Sequence, residues 1–369
     1  MKKITTFLLL LITVFSFAQE RKGERKAKLE YSDPEYIQKL LEDKAYEFPN
    51  KTEFSLALIK NGEVKYYGFV KEKDSVIAVQ NQDAIFEIGS ISKVFTSTLL
   101  ADLINRKKVK ATDEVNKKLP FKMKDTVRFT YEELASHTSG LPRLPTNLMT
   151  IAVDMSNPYA AYTNEFLEDY LKNSVSLYNK GKYAYSNAGA GILAYAIEKI
   201  EKKSYEDLLQ KKIFQKYKME NSTTQRDKVT NRFVAPLDYR GNVTSNWDFK
   251  SLAGAGAILS STEDLAKFLE ANLLGKDKNL TITREERAKV SERMSVGLGW
   301  HIINRKDNHK VYWHNGATGG YSSSMILDVE NNQAMVLLTN ISGLSPRTGL
   351  VDQINFMILK HLFETAEKK

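Results

Sequence analysis

The chain has 369 residues, no cysteine, a formal charge of +9 from 54 Lys and Arg against 45 Asp and Glu, and 42% hydrophobic residues. A chain of this length holds one large domain or two smaller ones, and it can build a core that needs no disulfide staple. The surplus charge forms no basic stripe interleaved with aromatics, so it reads as solvated surface and no nucleic-acid partner is expected.

Lys2 and Lys3 precede an apolar run from Phe7 to Phe17, which ends in Ser16-Phe17-Ala18. Small residues at the third and first positions before a cut are what signal peptidase reads. The run is shorter than the about 20 apolar residues of a membrane span. Residues 1–18 are therefore expected to be a signal peptide, with release into a periplasm or extracellular space and no membrane span in the mature chain. No cysteine follows the cut, so no lipid anchor is expected there. The polar segment Arg21 to Lys28 makes residues 19–33 a flexible tether.

Asp33-Pro34 reads as an N-cap with proline at the first helical position, and Tyr36, Ile37, Leu40, Leu41 and Ala45 follow at helical spacing. After Pro49 the period becomes that of strands. Glu53 to Lys60 and Glu63 to Val70 flank Asn61-Gly62, a strong hairpin signal. A helix beginning near Ser90 runs through Leu103 and is apolar nearly all round, as a buried helix is. Residues 105–245 read as helical segments joined by irregular loops. In them Thr130 and Glu133 make a capping box, His137 to Pro142 make a turn, and Tyr183 to Gly189 make a small-residue loop before a helix from Ile192 to Ile200. Ser261, with Asp264 three on, caps a helix through Leu269. Strands return at Gly299 to Ile303, Lys310 to His314, Tyr321 to Val329 and Gln333 to Asn340, and a last helix runs from about Thr348 to Phe363. The pattern gives an α/β fold of the α+β kind. An antiparallel sheet of about five or more strands is drawn from both chain ends and covered by helices from both termini, with a helical region inserted. The domain is expected over residues 34–369, its sheet part from about 34–104 and 246–369 and its helical part from about 105–245.

Chemistry gathers first at Glu87-Ile88-Gly89-Ser90-Ile91-Ser92-Lys93. Ser90 and Lys93 lie three apart and so share a helix face. A lysine whose pKa is lowered can take the proton of a serine nucleophile, and the free N–H groups of a helix start suit an oxyanion. Ser92 points about 100° away from its neighbour's direction. Ser90 is the only serine of the chain with lysine three residues on. Two further segments place compact polar groups beside glycines: Tyr185-Ser186-Asn187, and His314-Asn315-Gly316-Ala317-Thr318-Gly319-Gly320.

In order and spacing these three segments resemble the motifs of penicillin-recognising serine hydrolases, the superfamily of class C β-lactamases, serine D-Ala-D-Ala carboxypeptidases and related esterases. The likeness extends to His137-Thr138-Ser139-Gly140-Leu141-Pro142 and to Ala253-Gly254-Ala255-Gly256 before Ser260 to Leu265. It implies a β-lactamase-like fold and an acyl-Ser90 intermediate. Lys93 would act as base, and Tyr185 as phenolate or proton relay, lowered by a cation beside it. Asn187 would bond Lys93 and the substrate amide. An oxyanion hole would come from the backbone N–H groups of Ser90 and of Ala317 on an edge strand, and Gly316 and Gly319 would permit close approach. His314 stands where class C β-lactamases have lysine, and Ser186 where they usually have alanine. A histidine attracts a substrate carboxylate only when protonated, so turnover of anionic substrates would fall as pH rises through its titration.

The implied substrates are β-lactam amides or peptidoglycan-derived D-Ala-type peptides, with esters or D-amino peptides as the alternative. A penicillin-binding sensor without turnover is the alternative of another class. His137, His301, His309, His314 and His361 show no ligand-pair spacing, and no Gly-x-Gly-x-x-Gly follows an early strand, so neither metal nor other cofactor is expected. The leader reading is checked by N-terminal sequencing of secreted material, which should begin at Gln19; material still carrying residues 1–18 would refute it.

Overall fold

Alternation and turn chemistry place the strands. In the computed structural model, which describes residues 32–124, 126–151 and 154–366, they are β1 Glu53–Lys60, β2 Glu63–Glu72, β3 Ser75–Ala78, β4 Phe86–Glu87, β5 Leu259–Ser260, β6 Ala288–Ser291, β7 Met294–Val296, β8 His301–Asn304, β9 Lys310–Ala317, β10 Ser322–Asp328 and β11 Gln333–Thr339. The helices are α1 Asp33–Ala45, α2 Ser92–Asn105, α3 Tyr131–Ala135, α4 Leu148–Ile151, α5 Asn164–Asp169, α6 Asn187–Glu201, α7 Tyr205–Leu209, α8 Thr262–Leu274, α9 Lys278–Thr283 and α10 Thr348–Ala366. The expected signal peptide and nearly all of the tether lie outside the described residues.

Nine strands form one sheet in the order β3-β2-β1-β11-β10-β9-β8-β7-β6, every neighbour antiparallel. β4 and β5 pair as a separate ribbon. The first strand thus lies beside the last, Phe54 opposite Thr339. Asn61 and Gly62 both take positive φ, which the tight turn between β1 and β2 requires.

The sheet is apolar on both faces because it is covered on both. Along β1, Phe54, Leu56 and Leu58 face one core with Ile37, Leu41 and Ala45 of α1 and Val351, Ile354 and Ile358 of α10. Ala57 and Ile59 face the other, with Val94, Phe95 and Leu99 of α2 and Leu265, Phe268 and Leu269 of α8. β11 divides in the same way, Met335 and Leu337 against Val336 and Leu338. The second core continues through the inserted helices, since Phe129, Tyr170 and Ile192 belong to it. The sheet and the helical region therefore share a single apolar interior. Between Asn105 and β5 the described residues form helices, turns and isolated bridges.

Several local expectations shift. Ser32, not Asp33, precedes α1; its N–H donates to the Glu35 carboxylate at 3.0 Å, while Asp33 is the first helical residue and pairs with Lys60. The helix expected from Ile192 begins five residues earlier, because the Ser186 hydroxyl caps it by accepting the Gly189 N–H at 2.9 Å. The helix expected at Ser90 opens as a single 3₁₀ turn, Gly89–Ile91, and becomes α-helical at Ser92.

That turn is held by a close approach. Gly89 has φ +52°, and a β-carbon there would sit 2.6 Å from the backbone nitrogen of Ala317. Gly89→Ala combines a left-handed backbone with this clash. It should lower the unfolding free energy by at least about 1 kcal/mol, read as a lower urea midpoint at unchanged slope. Unaltered stability would show that the contact between turn and strand is loose.

Candidate active site

The 3₁₀ turn and first turn of α2 bring Ser90 and Lys93 onto one face, as the spacing predicts. Lys93 Nζ donates to Ser90 Oγ at 2.9 Å and to the Ala255 carbonyl at 2.7 Å. The small-residue segment Ala253–Ala255 is therefore a cradle for this helix, and Thr96 also donates to the Gly254 carbonyl at 2.8 Å. Lys93 is 2% exposed. Burial, reinforced by the Arg143 charge, pushes its pKa well below the ordinary lysine range, so the amine is available as a base. Ser92 is fully buried and accepts the Ile258 N–H at 3.1 Å, which makes it a packing residue and leaves Ser90 as the hydroxyl bonded to Lys93.

Tyr185 lies over the pair. Lys93 Nζ stands 4.9 Å from its ring centre, and the Tyr185 phenol hydrogen-bonds Ser90. The expectation of a phenolate is corrected here: burial dominates and pushes the phenol up to about 12, although Ser90 and Arg143 act in the opposite sense. Lys93 supplies little positive charge because it is itself driven toward the neutral form. Tyr185 is a protonated hydroxyl in contact with Ser90, which suits the relay role.

Asn187 is the first residue of α6. Its backbone N–H donates to the Arg143 carbonyl at 2.8 Å, and its side chain lies against the Tyr159 phenol. The bonds of Lys93 go to Ser90 and Ala255, so the expected Asn187–Lys93 bond is not made. The Asn187 Oδ1 atom is buried without a partner. Such an atom is costly unless something fills it, and a substrate amide N–H is the complement it lacks.

Ala317 ends β9, which is an interior strand and not the expected edge. Its free side arises differently. β8 pairs with β9 only as far as Trp313, so residues 314–317 overrun it. The Thr318 N–H donates to the Tyr321 carbonyl at 2.9 Å and closes the β9–β10 turn. Antiparallel pairs alternate, so the Ala317 N–H points away from β10, toward the side where Gly89 lies. The Ser90 N–H stands at the start of its helical turn, where no earlier carbonyl of the turn can take it. The Ala317 nitrogen thus lies against the glycine that precedes Ser90 in the turn. Gly316 serves this approach rather than substrate entry, since a β-carbon there would meet the Ile88 carbonyl oxygen at 2.0 Å. Gly319 likewise gives room to the Trp247 indole.

His314 requires the largest correction. It is fully buried, its Nδ1–H donates to the Asn315 carbonyl at 2.6 Å, and Nε2 is buried without a partner. Burial, His301 and Lys93 hold its pKa well below the usual histidine value. The ring is neutral at neutral pH and its Nε2 presents a lone pair, which repels a carboxylate. The expected titration of a His314 carboxylate contact therefore has no basis near pH 6.5.

Three features were not read from the sequence. His137 and His301 join His314 around Tyr185, with ring centres 4.5 and 6.4 Å from that ring for the first two. His137, at φ +60°, accepts the Ser186 N–H on Nδ1 at 3.2 Å, and His301 Nε2 shares a 2.8 Å hydrogen bond with Tyr183. Burial lowers both, His301 to about 4. Glu87 accepts the Asn246 amide and the Trp247 N–H, and burial pushes it up to about 7; a lone carboxylate in the run Ile85 to Ile88 was its signal. Arg143 places its guanidinium 5.2 Å from the Tyr185 ring centre, and nothing in its local sequence marks it. Among the described residues no group of three or more His, Cys, Asp and Glu is arranged to hold a metal ion.

Residues 49–354 match the profile of the family described as Beta-lactamase. Protein flp of Staphylococcus aureus is 25% identical over 329 residues, covering 83% of this chain and 63% of its own length. The chain therefore spans less than two thirds of that curated relative. The fold is shared with the octameric penicillin-binding protein homologue from Pyrococcus abyssi, at TM-score 0.75 and 22% identity over 90% of this chain and 78% of that one. It is also shared with the β-lactamase/D-alanine carboxypeptidase from Pseudomonas syringae, at TM-score 0.75 and 20% identity over 89% and 99%.

If Lys93 is the base, the rate of Ser90 acylation by a neutral activated ester should rise with pH as the ammonium loses its proton, and level off well below pH 10.5, the ordinary lysine range. Lys93→Arg, which cannot deprotonate, should lose the reaction. A wild-type rate that keeps climbing into the ordinary lysine range would show a charged Lys93 in the resting site.

Proposed function

From the premise that the chain belongs to the Beta-lactamase family, we propose that it is a serine hydrolase working through an acyl-Ser90 intermediate on β-lactam amides or D-Ala-type peptides. The observation that carries this is the 2.9 Å bond between the buried Lys93 amine and Ser90 Oγ, on a turn packed against the Ala317 nitrogen. Ser90 Oγ attacks the carbonyl carbon while its proton passes to the neutral Lys93 amine. The carbonyl electron pair moves onto oxygen, where the N–H groups of Ser90 and Ala317 receive it. Collapse of the tetrahedral species breaks the C–N bond, and the Lys93 ammonium returns the proton to the leaving nitrogen through the Tyr185 hydroxyl. Water then hydrolyses the Ser90 ester. Asn187 Oδ1 accepts the substrate's amide N–H.

One observation favours a second reading. The neutral His314 withholds the positive charge that a lysine in its place would offer, which suits neutral esters. Action in a periplasm or outside the cell is part of the proposal, supported by the signal-like sequence expected at residues 1–18.

Intact-protein mass spectrometry with benzylpenicillin, followed over time, tests the reading. Wild type should gain one penicilloyl mass and then lose it. Ser90→Ala should gain none, and Ser92→Ala should still be labelled. Labelling that survives Ser90→Ala removes the mechanism, and labelling without release identifies a penicillin-binding sensor instead.

A further inference from the structure

The groups around Ser90 are unusually poor in usable charge. Lys93 is buried and driven toward its neutral amine, and His137, His301 and His314 are buried and held neutral. Arg143 is a cation in solvent contact beside Tyr185. Arg143 is exposed, its guanidinium carbon lies 5.2 Å from the centre of the Tyr185 ring, and it forms no ion pair with any described carboxylate. Other arginines, such as Arg106, Arg226 and Arg287, are engaged with acidic partners.

Its backbone is not free to wander. The Arg143 carbonyl accepts the N–H groups of Asn187 and Ala188 at 2.8 and 3.1 Å, and the preceding Pro142 carbonyl accepts the Ser186 hydroxyl at 2.6 Å. The arginine is therefore tied to the first turn of α6, beside the unpartnered Asn187 oxygen. Its charge is felt by Tyr185, Tyr159, Lys93 and His137, which surround the reactive serine. A guanidinium is permanently charged and presents a planar fork that matches a carboxylate.

We propose that Arg143 is the specificity residue that binds the substrate's carboxylate, the role that His314 cannot take. The inference rests on the reading of Ser90 as nucleophile. The carboxylate belongs either to a β-lactam or to the C-terminus of a D-Ala peptide. Both would span from the Ser90 hydroxyl, past the Asn187 oxygen, to the guanidinium at the rim. Pairing with the carboxylate also cancels the positive field on Lys93, so the amine becomes more basic once an anionic substrate is bound. A neutral ester gains neither effect.

Calorimetric binding to Ser90→Ala protein, which cannot be acylated at that serine, tests the contact apart from the chemistry. Benzylpenicillin is compared with its methyl ester, and acetyl-D-Ala-D-Ala with its C-terminal amide, in Ser90→Ala alone and combined with Arg143→Met or Arg143→Lys. Loss of a charge-assisted hydrogen bond should weaken the carboxylate form about 10-fold or more in the Met variant, leave the ester or amide form within about 2-fold, and be partly restored by Lys. Which pair responds separates the lactam source from the peptide source. In parallel, Arg143→Met with Ser90 intact should raise KM for the anionic substrate more than it lowers kcat. Equal losses for charged and neutral ligands, or none, overturn the proposal and make Arg143 a support for Tyr185. A carboxylate preference that depends on Arg143, together with wild-type protein that mass spectrometry never finds acylated on Ser90, would leave this contact standing and remove the acyl-enzyme reading.

Discussion

A primary amine sealed inside an apolar interior is the constraint that orders this molecule. Lys93 sits on a helix whose residues are almost all buried, and its two hydrogen bonds reach Ser90 and Ala255. An ammonium there would lose its hydration without gaining a carboxylate, so the neutral form is favoured. The same loss of water acts on every titratable neighbour. It keeps three imidazoles uncharged and Tyr185 protonated, and so converts a group of ordinarily charged side chains into a network of hydrogen-bond donors and acceptors. Proton transfer between two neutral groups of such a network creates an ammonium and an anionic oxygen, and a medium that solvates charge badly makes fixed dipoles beside that oxygen matter more.

The backbone supplies what the side chains do not. In the proposed mechanism the groups that would meet a developing oxyanion are N–H dipoles from a helical turn and from a strand that overruns its neighbour. These two elements meet only because Gly89 has no β-carbon and because Gly316 lets the Ile88 carbonyl lie against β9. Ser323 donates to the same Ile88 carbonyl at 2.9 Å, adding a third tie between the turn and the sheet. Ser90 is thus positioned by main chain on both sides, which is more rigid than a loop held by side chains alone.

Much of this could be read in the sequence, and the reason differs from element to element. The hairpin at Asn61-Gly62, the capping box at Thr130 and Glu133, and the Ser261 cap are local signals, so they appear where expected. β6 and β7 are short, partly exposed and interrupted by a register shift, and they carry no alternation strong enough to announce them. Ser90 with Lys93 was legible because three residues of helix is a fixed distance. Charge state was not. Whether His314 is charged depends on His301 and Lys93, which arrive from other elements, and on burial, which is set by the whole fold. Arg143 was invisible for the same reason: an arginine after a Gly-Leu-Pro turn is ordinary until α6 draws its carbonyl, and its side chain with it, toward Tyr185.

The pairing of β1 with β11 has a consequence for how the chain reaches this state. The hairpin of β1 and β2 forms early and locally, yet the far edge of β1 finds its partner only when Gln333–Thr339 is present. Until then Leu56 and Leu58 have only α1 and β2 beside them, because β11 and α10 come later. Contacts of such long sequence separation fold slowly, since the loop must close before the pairing rewards it. The sheet therefore cannot be completed as the chain leaves the ribosome. Its central ladder closes after synthesis, with β1 inserted between two neighbours made at opposite ends of translation. A chaperone that shields β1 during that interval would act on folding yield and leave the finished site unchanged.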